Sequence, residues 1–502
     1  MENKKLKNIF IDIFIFVFIA LFCFSNIFSN SIGNLDEIWN YNFAKNICDG
    51  LVPYRDFNMV QMPLLSMICA ICLKAFGNQL IVMRVLAVIL MSLIFFVGYK
   101  ILKLVTNDKI AKLILPVILV LFNDILCIDY NYAVLFIALV ILYVELRHLN
   151  KLDEDDFLQY DFRYNFVIGL IAGLSVLCKQ TTGIAISMAC IGYKIFAIRK
   201  KDDIKLFFKI AFTRIFGVII PLIIFVIYLL FNGAIEDFID YTILGLSTFS
   251  NSIPYSNLLK NNVLKIFAIV VPIVLVVMFV RLFVKDTDKK LYVFFAYSIS
   301  SFIVTFPICD KIHFLTGSLI AILAICYMLY DDFIVGSQYS KVFKLICYGA
   351  YSFTTIFLVL LLLFESVHSV NRDFIKVDKE KELNHFYYIP ENVGLKDRIF
   401  EIDDYIMDNK RNGKNVYMLD AEAALYTIPL DIYNKDYDMF LKGNLGSKGE
   451  DGIIERIQKE ENAVYLLKMD YLNWQNPNKV RDYIMSNLNY KGNISIFYIY
   501  EK

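Results

Sequence analysis

Residues Asn34 to Leu65 read NLDEIWNYNFAKNICDGLVPYRDFNMVQMPLL and follow directly on a long apolar run. Asp36 and Glu37 stand at the start of this stretch. A carboxylate on a fixed element can take the proton of a hydroxyl nucleophile, a contribution of ~10²–10⁴-fold to a rate. The plainer reading is a helix start. Asn34 with Glu37 three residues on has the form of a capping box, and both acids would sit in a first turn favoured by the helix dipole. That accounts for Glu37 but leaves Asp36, which shares a helical face with Asn40 and not with the Trp39–Phe43 stripe. Further on, VPYRDF brings Arg55 beside Asp56. A guanidinium matches phosphate geometry, and a solvated Arg55–Asp56 pair in a turn is the structural alternative.

Four more positions have chemistry to offer. Asp129, in CIDYNYAVLF, precedes a long apolar segment, with Asp124 as its less favoured neighbour. An acid there is a usual helix-dipole partner and equally a second carboxylate for a site. Lys179, in GLSVLCKQTTG, sits between two apolar segments with almost no loop. It either snorkels to an interface or meets a lipid phosphate. FPICDKIHF places Asp310 and His313 three residues apart at another apolar segment's mouth. Two ligands at that spacing do not make a metal triad. The ten cysteines are scattered and lack zinc spacing, so they read as small apolar side chains.

The elements that must position these residues are membrane spans. The chain has 502 residues, is 58% hydrophobic and 16% aromatic, and has a mean hydropathy of +0.56. Its apolar runs have the length that crosses a hydrocarbon core of ~30 Å, and they lack strand-type alternation. Eleven spans are expected, at 9–29, 80–104, 110–125, 131–148, 164–179, 181–198, 209–231, 263–284, 291–307, 313–330 and 341–365. Residues 63–77 are apolar but short and are read as lying in the outer interface. With that choice, the loops 1–8, 100–112, 145–164, 198–210, 281–290 and 331–344 hold 21 Lys and Arg. The alternate loops 30–79, 126–131, 179–182, 232–262 and 307–314 hold 6. The positive-inside rule then places the N-terminus in the cytoplasm and Asp36, Asp129, Lys179 and His313 outside. Loop 232–262, with Glu236, Asp237 and Asp240 among aromatics, reads as an interfacial amphipathic helix. A net charge of +1 gives no reason to expect a nucleic-acid partner.

Residues 366–502 are polar enough for a small extracytoplasmic domain, so the chain divides into 1–365, transmembrane, and 366–502. NVYMLD and AVYLLKM read as strands, DGIIERIQKE and NPNKVRDYIMSNL as helices, and NISIFYIYEK as a last strand. The expected fold is therefore a polytopic α-helical membrane protein with a C-terminal α/β domain. Gly443, Gly446, Gly449 and Gly452 read as loop punctuation, since their spacing is no phosphate-loop signature.

An acid pair after the first span, then DGLVPYRDF, then a PLL helix ending in FGN, then a span carrying Arg84 resembles the GT-C superfamily of membrane glycosyltransferases. The likeness is to bacterial relatives of the protein O-mannosyltransferases and aminoarabinose transferases, and is strongest over residues 30–180. It implies a cell-membrane enzyme that takes a sugar from a polyprenyl-phosphate donor on the outer face. The acceptor would be a glycan, lipid or protein of the cell envelope. It implies that Asp36 is the catalytic carboxylate assisted by Asp129. Lys179, at the end of a GLxxLxK segment, matches the family's phosphate-facing lysine. Glu37, Arg55, Arg84, Asp310 and His313 are the substrate-binding candidates. A divalent metal at Asp36 and Asp129 is open by analogy with some branches. The rival is a transporter or flippase for lipid-linked or small solutes. Against it stand mid-span segments nearly without charge and the lack of an internal repeat.

Overall fold

A computed structural model describes residues 2–32, 35–123, 125–152, 157–249, 252–261, 264–284, 288–331, 384–390, 394–470 and 475–502, with isolated positions between 342 and 364. The chain forms two compact units. One comprises Met1–Ile27, Ala87–Ile224 and Ser252–His368, the other Phe28–Leu86, Phe225–Asn251 and Ser369–Lys502.

The helices of the apolar runs are α1 (Glu2–Ser29), α4 (Leu80–Val105), α5 (Asp108–Leu121), α6 (Tyr130–Leu149), α7 (Phe162–Cys178), α8 (Gln180–Gly192), α9 (Lys201–Phe231), α11 (Leu264–Arg281), α12 (Lys289–Phe302) and α13 (Lys311–Tyr330). Ten of the eleven expected spans fall on them, and the eleventh, 341–365, lies largely outside the described residues. Within α1, α4, α6, α9, α11 and α13 lie stretches of 18 residues or more, long and apolar enough to cross a membrane. Helices α5, α7, α8 and α12 are shorter, at 14, 17, 13 and 14 residues.

In the first unit, polar caps start the helices where the sequence leaves an apolar run. Asn107, Asp129, Asp161, Asp288 and Asp310 each accept a backbone N–H from the first turn of α5, α6, α7, α12 and α13. Without such a partner these N–H groups would be orphaned. Helix α7 packs on α6 and α8, and α12 on α6, α8 and α13. Glycines set the closest approach. A Cβ at Gly169 would lie 2.2 Å from the Arg214 carbonyl oxygen, and one at Gly217 2.4 Å from that of Phe166. Only hydrogen fits there, the small-residue packing by which helices associate in lipid.

In the second unit, α2 (Leu35–Cys48) packs on α3 (Leu64–Phe76). Helix α3 has 13 residues, ~20 Å of rise, less than a bilayer core. Asn34, the expected cap of α2, lies outside the described residues. Residues 232–262 do not form one amphipathic helix. The chain makes α10 (Ile235–Ile239), a π turn over Asp240–Leu244, and separate 3₁₀ turns at Gly245–Thr248 and Tyr255–Lys260. Residues of the first part of this loop are engaged by the 443–449 loop. Ser447 N–H donates to Asp240 Oδ1 (3.0 Å) and Gly443 N–H to Thr248 Oγ1 (3.0 Å). Gly446 is more than punctuation, because a Cβ there would meet Asp240 Oδ2 at 2.3 Å and its φ is +72°.

The C-terminal sheet has the order β1-β2-β4-β3, with β1 (Asn415–Leu419), β2 (Ala463–Lys468), β3 (Asn489–Ile494) and β4 (Phe497–Glu501). β1 and β2 are parallel, Asn415 facing Ala463, and the connection between them carries the helix α16 (Gly449–Lys459). α14 (Leu395–Arg411) and the short α15 (Ala424–Thr427) flank β1 in sequence, and α17 (Asn478–Asn487) leads into β3. Two points differ from the sequence expectation. NISIFYIYEK holds a hairpin turn and not one strand, since Ser495 takes a φ of +47° and the chain reverses. Helix α14 was not expected, although its buried Leu395, Ile399, Ile402 and Ile406 have helical spacing. The core beneath the sheet holds Tyr465, Leu467, Ile453, Ile457, Val480 and Ile484.

Candidate active site

Four of the eight candidates fall in the first unit and group at the N-terminal ends of α6 and α13 and at the α7–α8 junction. Asp129 caps α6: its Oδ1 accepts Asn131 N–H at 2.6 Å. The residue is 0% exposed, and Oδ2 has no hydrogen-bond partner among the described residues. Asn131 Oδ1 in turn accepts from Lys179 Nζ at 2.6 Å, and the ammonium lies 5.2 Å from the centre of the Tyr130 ring. Lys179 ends α7 in an extended conformation before α8 begins, so a helix break projects it. Burial pushes the Asp129 carboxyl up, against the opposing pull of the Asn131 N–H and the charges of His313 and Lys179.

Asp310 caps α13 and accepts both the backbone N–H of His313 (2.9 Å) and its Nδ1 (2.8 Å) on Oδ1. Burial alone would push the Asp310 carboxyl up, yet the bonds and charge of His313 hold it below the usual range. The His313 side chain is 14% exposed. Lys311 Nζ donates to the Asn123 carbonyl oxygen at 2.9 Å. Asp124 lies outside the described residues.

The other four candidates belong to the second unit. Asp36 is half-buried in the first turn of α2, and its carbonyl oxygen accepts from Asn40 Nδ2 at 2.8 Å, so the two do share a face. Glu37 and Arg84 pair with one another: Nε to Oε1 is 2.8 Å and Nη2 to Oε2 is 2.9 Å. Arg84, 1% exposed, also donates to the carbonyls of Asn30 and Ser31. A bidentate buried pair of this kind fixes the start of α2 to α4 and engages both charges. Arg55 donates to both oxygens of Asp56 at 2.8 Å and to the Asn232 carbonyl oxygen at 2.9 Å, the turn pair that was its structural alternative.

Two clusters escaped the sequence reading. Lys45 Nζ, buried, lies 2.8 Å from Asp49 Oδ2, 2.7 Å from Asp431 Oδ1 and 3.1 Å from Tyr433 Oη. Burial pulls this lysine down, but its partners outweigh it and raise it above the ordinary value. Beside it, His385 bonds Tyr41 Oη at 2.8 Å, and burial pushes its imidazole down. The second cluster joins Glu145 and Arg214 in the first unit, both 0% exposed, at 2.7 Å. Tyr164 and Tyr193 hydroxyls donate to Glu145 Oε2, and Arg214 donates to Asn165 Oδ1 and the Cys190 carbonyl. A lone Glu145 and a lone Arg214 near the ends of apolar runs were the available signal, because unpaired charges do not persist in such surroundings. Among the described residues no group of three or more His, Cys, Asp or Glu is placed to hold a metal ion.

No family model matches the sequence, and no match emerges among the curated proteins. Solved structures do match. ArnT from Cupriavidus metallidurans in the apo state gives a TM-score of 0.57 at 10% identity, over 97% of this chain and 97% of that one. The same protein bound to undecaprenyl phosphate gives 0.53 at 9% identity over 97% of each chain. The archaeal oligosaccharyltransferase AglB from Archaeoglobus fulgidus, in complex with an inhibitory peptide and a dolichol-phosphate, gives 0.56 at 12% identity. That match covers 91% of this chain and 69% of the other.

Proposed function

We propose that this chain, a multi-pass membrane protein with the GT-C fold, moves a sugar from a polyprenyl-phosphate donor to an acceptor hydroxyl on the outer face of the membrane. The carrying observation is Lys179: an ammonium held by Asn131 beside a buried carboxylate with one unpartnered oxygen, in a fold shared with proteins solved with lipid phosphates. An ammonium at that point offsets the charge that develops on a departing phosphate, an electrostatic role worth ~10²–10³ in rate for a single donor.

Asp36, matched to the family's first-loop carboxylate, is the proposed base that takes the acceptor's proton, assisted by the carboxylate of Asp129. The buried Glu37–Arg84 pair supports this reading as a positioning group that holds the start of α2. In the same proposal, residues 1–365 carry the chemistry, 366–502 form an extracytoplasmic domain, and the N-terminus is cytoplasmic.

The test is transfer of a labelled sugar from a synthetic polyprenyl-phosphate donor by the purified chain in liposomes. Active wild type with strongly slowed Lys179→Met and Asp36→Asn is the expected result. Full activity in Asp36→Asn would remove that residue from the mechanism. Solute flux with no transfer in the wild type would favour the transporter.

A further inference from the structure

The proposed transfer leaves one proton unassigned. When the bond between the anomeric carbon and the phosphate oxygen breaks, the phosphate gains a negative charge and becomes a monoester. The second pKa of a phosphate monoester is about 6, and that of an ordinary histidine about 6.5. Proton transfer between two groups so matched is nearly thermoneutral, so a weak acid is enough.

The first unit holds an imidazole where the proposed reading puts the phosphate. Asp310 Oδ1 accepts from His313 Nδ1 at 2.8 Å and from its backbone N–H at 2.9 Å. A carboxylate can only accept, so the proton on the ring is fixed at Nδ1 and the ring cannot turn. Nε2 is left without a hydrogen-bond partner among the described residues, on a side chain still 14% exposed. This is the arrangement in which an oriented imidazole exchanges a proton at its far nitrogen. The charged groups around it are Asp310 and Lys311 on α13, Asp129 at the cap of α6 and Lys179 at the α7–α8 junction. Lys311 donates to the Asn123 carbonyl. His313 and Lys179 both bear on Asp129 electrostatically, which places imidazole and ammonium at the same end of the unit.

We propose that His313, oriented by Asp310, is the acid that protonates the departing lipid phosphate. The inference rests on the glycosyl-transfer reading above. In the step, the acceptor oxygen forms its bond to the anomeric carbon. The carbon–oxygen bond to phosphate breaks and its electron pair stays on the phosphate oxygen. His313 acts as the imidazolium: its Nε2 proton moves to that oxygen, giving the lipid hydrogen phosphate and a neutral imidazole that keeps its proton on Nδ1. The acceptor's own proton goes to the base, and the imidazole recovers a proton from water before the next turnover. Asp310 is a positioning residue that also supports the imidazolium.

The experiment is the pH dependence, from 5 to 9, of sugar transfer by the full chain in liposomes with a synthetic polyprenyl-phosphate donor. The wild-type kcat is expected to fall as pH rises, because the proposed acid must carry its proton. His313→Gln is expected to lower kcat by about 10²-fold, abolish the falling limb and leave KM in place. Asp310→Asn is expected to keep the limb but move it to lower pH, because the carboxylate that supports the imidazolium is gone. A falling limb that persists in His313→Gln, or a raised KM with unchanged kcat, overturns the proposal. Should His313→Gln fail to fold, an unmoved limb in Asp310→Asn overturns it instead. A wild type that transfers no sugar overturns the functional reading itself, an outcome distinct from an active wild type whose His313 variants behave normally.

Discussion

The two ends of α6 carry opposite kinds of polar chemistry. At the C-terminal end, Glu145 receives two tyrosine hydroxyls and the Arg214 guanidinium, and side chains or carbonyls from α7, α8 and α9 complete the network. At the N-terminal end, Asp129 keeps one oxygen unpartnered, and His313, on α13, keeps Nε2 unpartnered among the described residues. Both ends are buried, so burial does not distinguish them. A paired charge does: Glu145 has the Arg214 guanidinium at 2.7 Å, whereas Asp129 makes no ion pair among the described residues. A buried ion pair holds helices together, whereas a buried acid with no cation in direct contact interacts strongly with whatever charge arrives.

Breaking the ion-paired end is expected to give the largest effect. Arg214→Met leaves Glu145 buried without its cation and costs about 3–5 kcal/mol, read as a lowered melting transition in detergent. The protein that remains folded should still transfer sugar at the normal rate. Adding Glu145→Leu to Arg214→Met should recover much of the loss, because no charge is then stranded. The open end should respond in the opposite sense. Lys179→Met is expected to slow transfer by ~10²–10³-fold, about 3–4 kcal/mol of transition-state stabilisation, while the melting transition stays in place.

The second unit supplies an intermediate case. Burial pushes the Asp438 carboxyl up to about 7, against bonds from Asn434 N–H and Asn42 and the charge of Lys45. Between about pH 4 and 7 the folded chain then holds a proton that the unfolded chain has released, so stability declines as pH rises through that window. Asp438→Asn should flatten this slope and be more stable than wild type at pH 8 by roughly 1–3 kcal/mol, seen in melting curves at pH 5 and pH 8. The smallest effect is expected at Arg55. Its guanidinium is exposed and held by Asp56 and Asn232, so Arg55→Ala should shift neither melting nor transfer rate measurably. A large loss of transfer would restore it as a phosphate ligand.

Much of the architecture was readable in advance for a simple reason. A helix that meets lipid must be apolar over its whole length, so α1, α4, α6, α9, α11 and α13 announce themselves as runs. Asp129 and Asp310 stood out because each is an acid just before such a run, and each does cap a helix. Loop 232–262 misled because its composition suits an interfacial helix, while its conformation answers to bonds with residues two hundred positions later. Longer separations, of 388 and 382 positions, hid Lys45 with Tyr433 and the Trp39 indole bond to the Ala421 carbonyl.

Sequence by itself determined that the chain enters a membrane many times and ends in a small sheet domain. Hydrophobic burial sums over a run of residues and needs no knowledge of the neighbours. Which of the ionisable residues hold the fold and which are left to act was decided only by the tertiary structure. Glu37, an apparent partner of Asp36, is engaged by Arg84, and the tautomer of His313 is fixed by Asp310. Coulomb and hydrogen-bond energies fall off within a few ångströms, so a charge takes its role from whichever group the fold brings beside it.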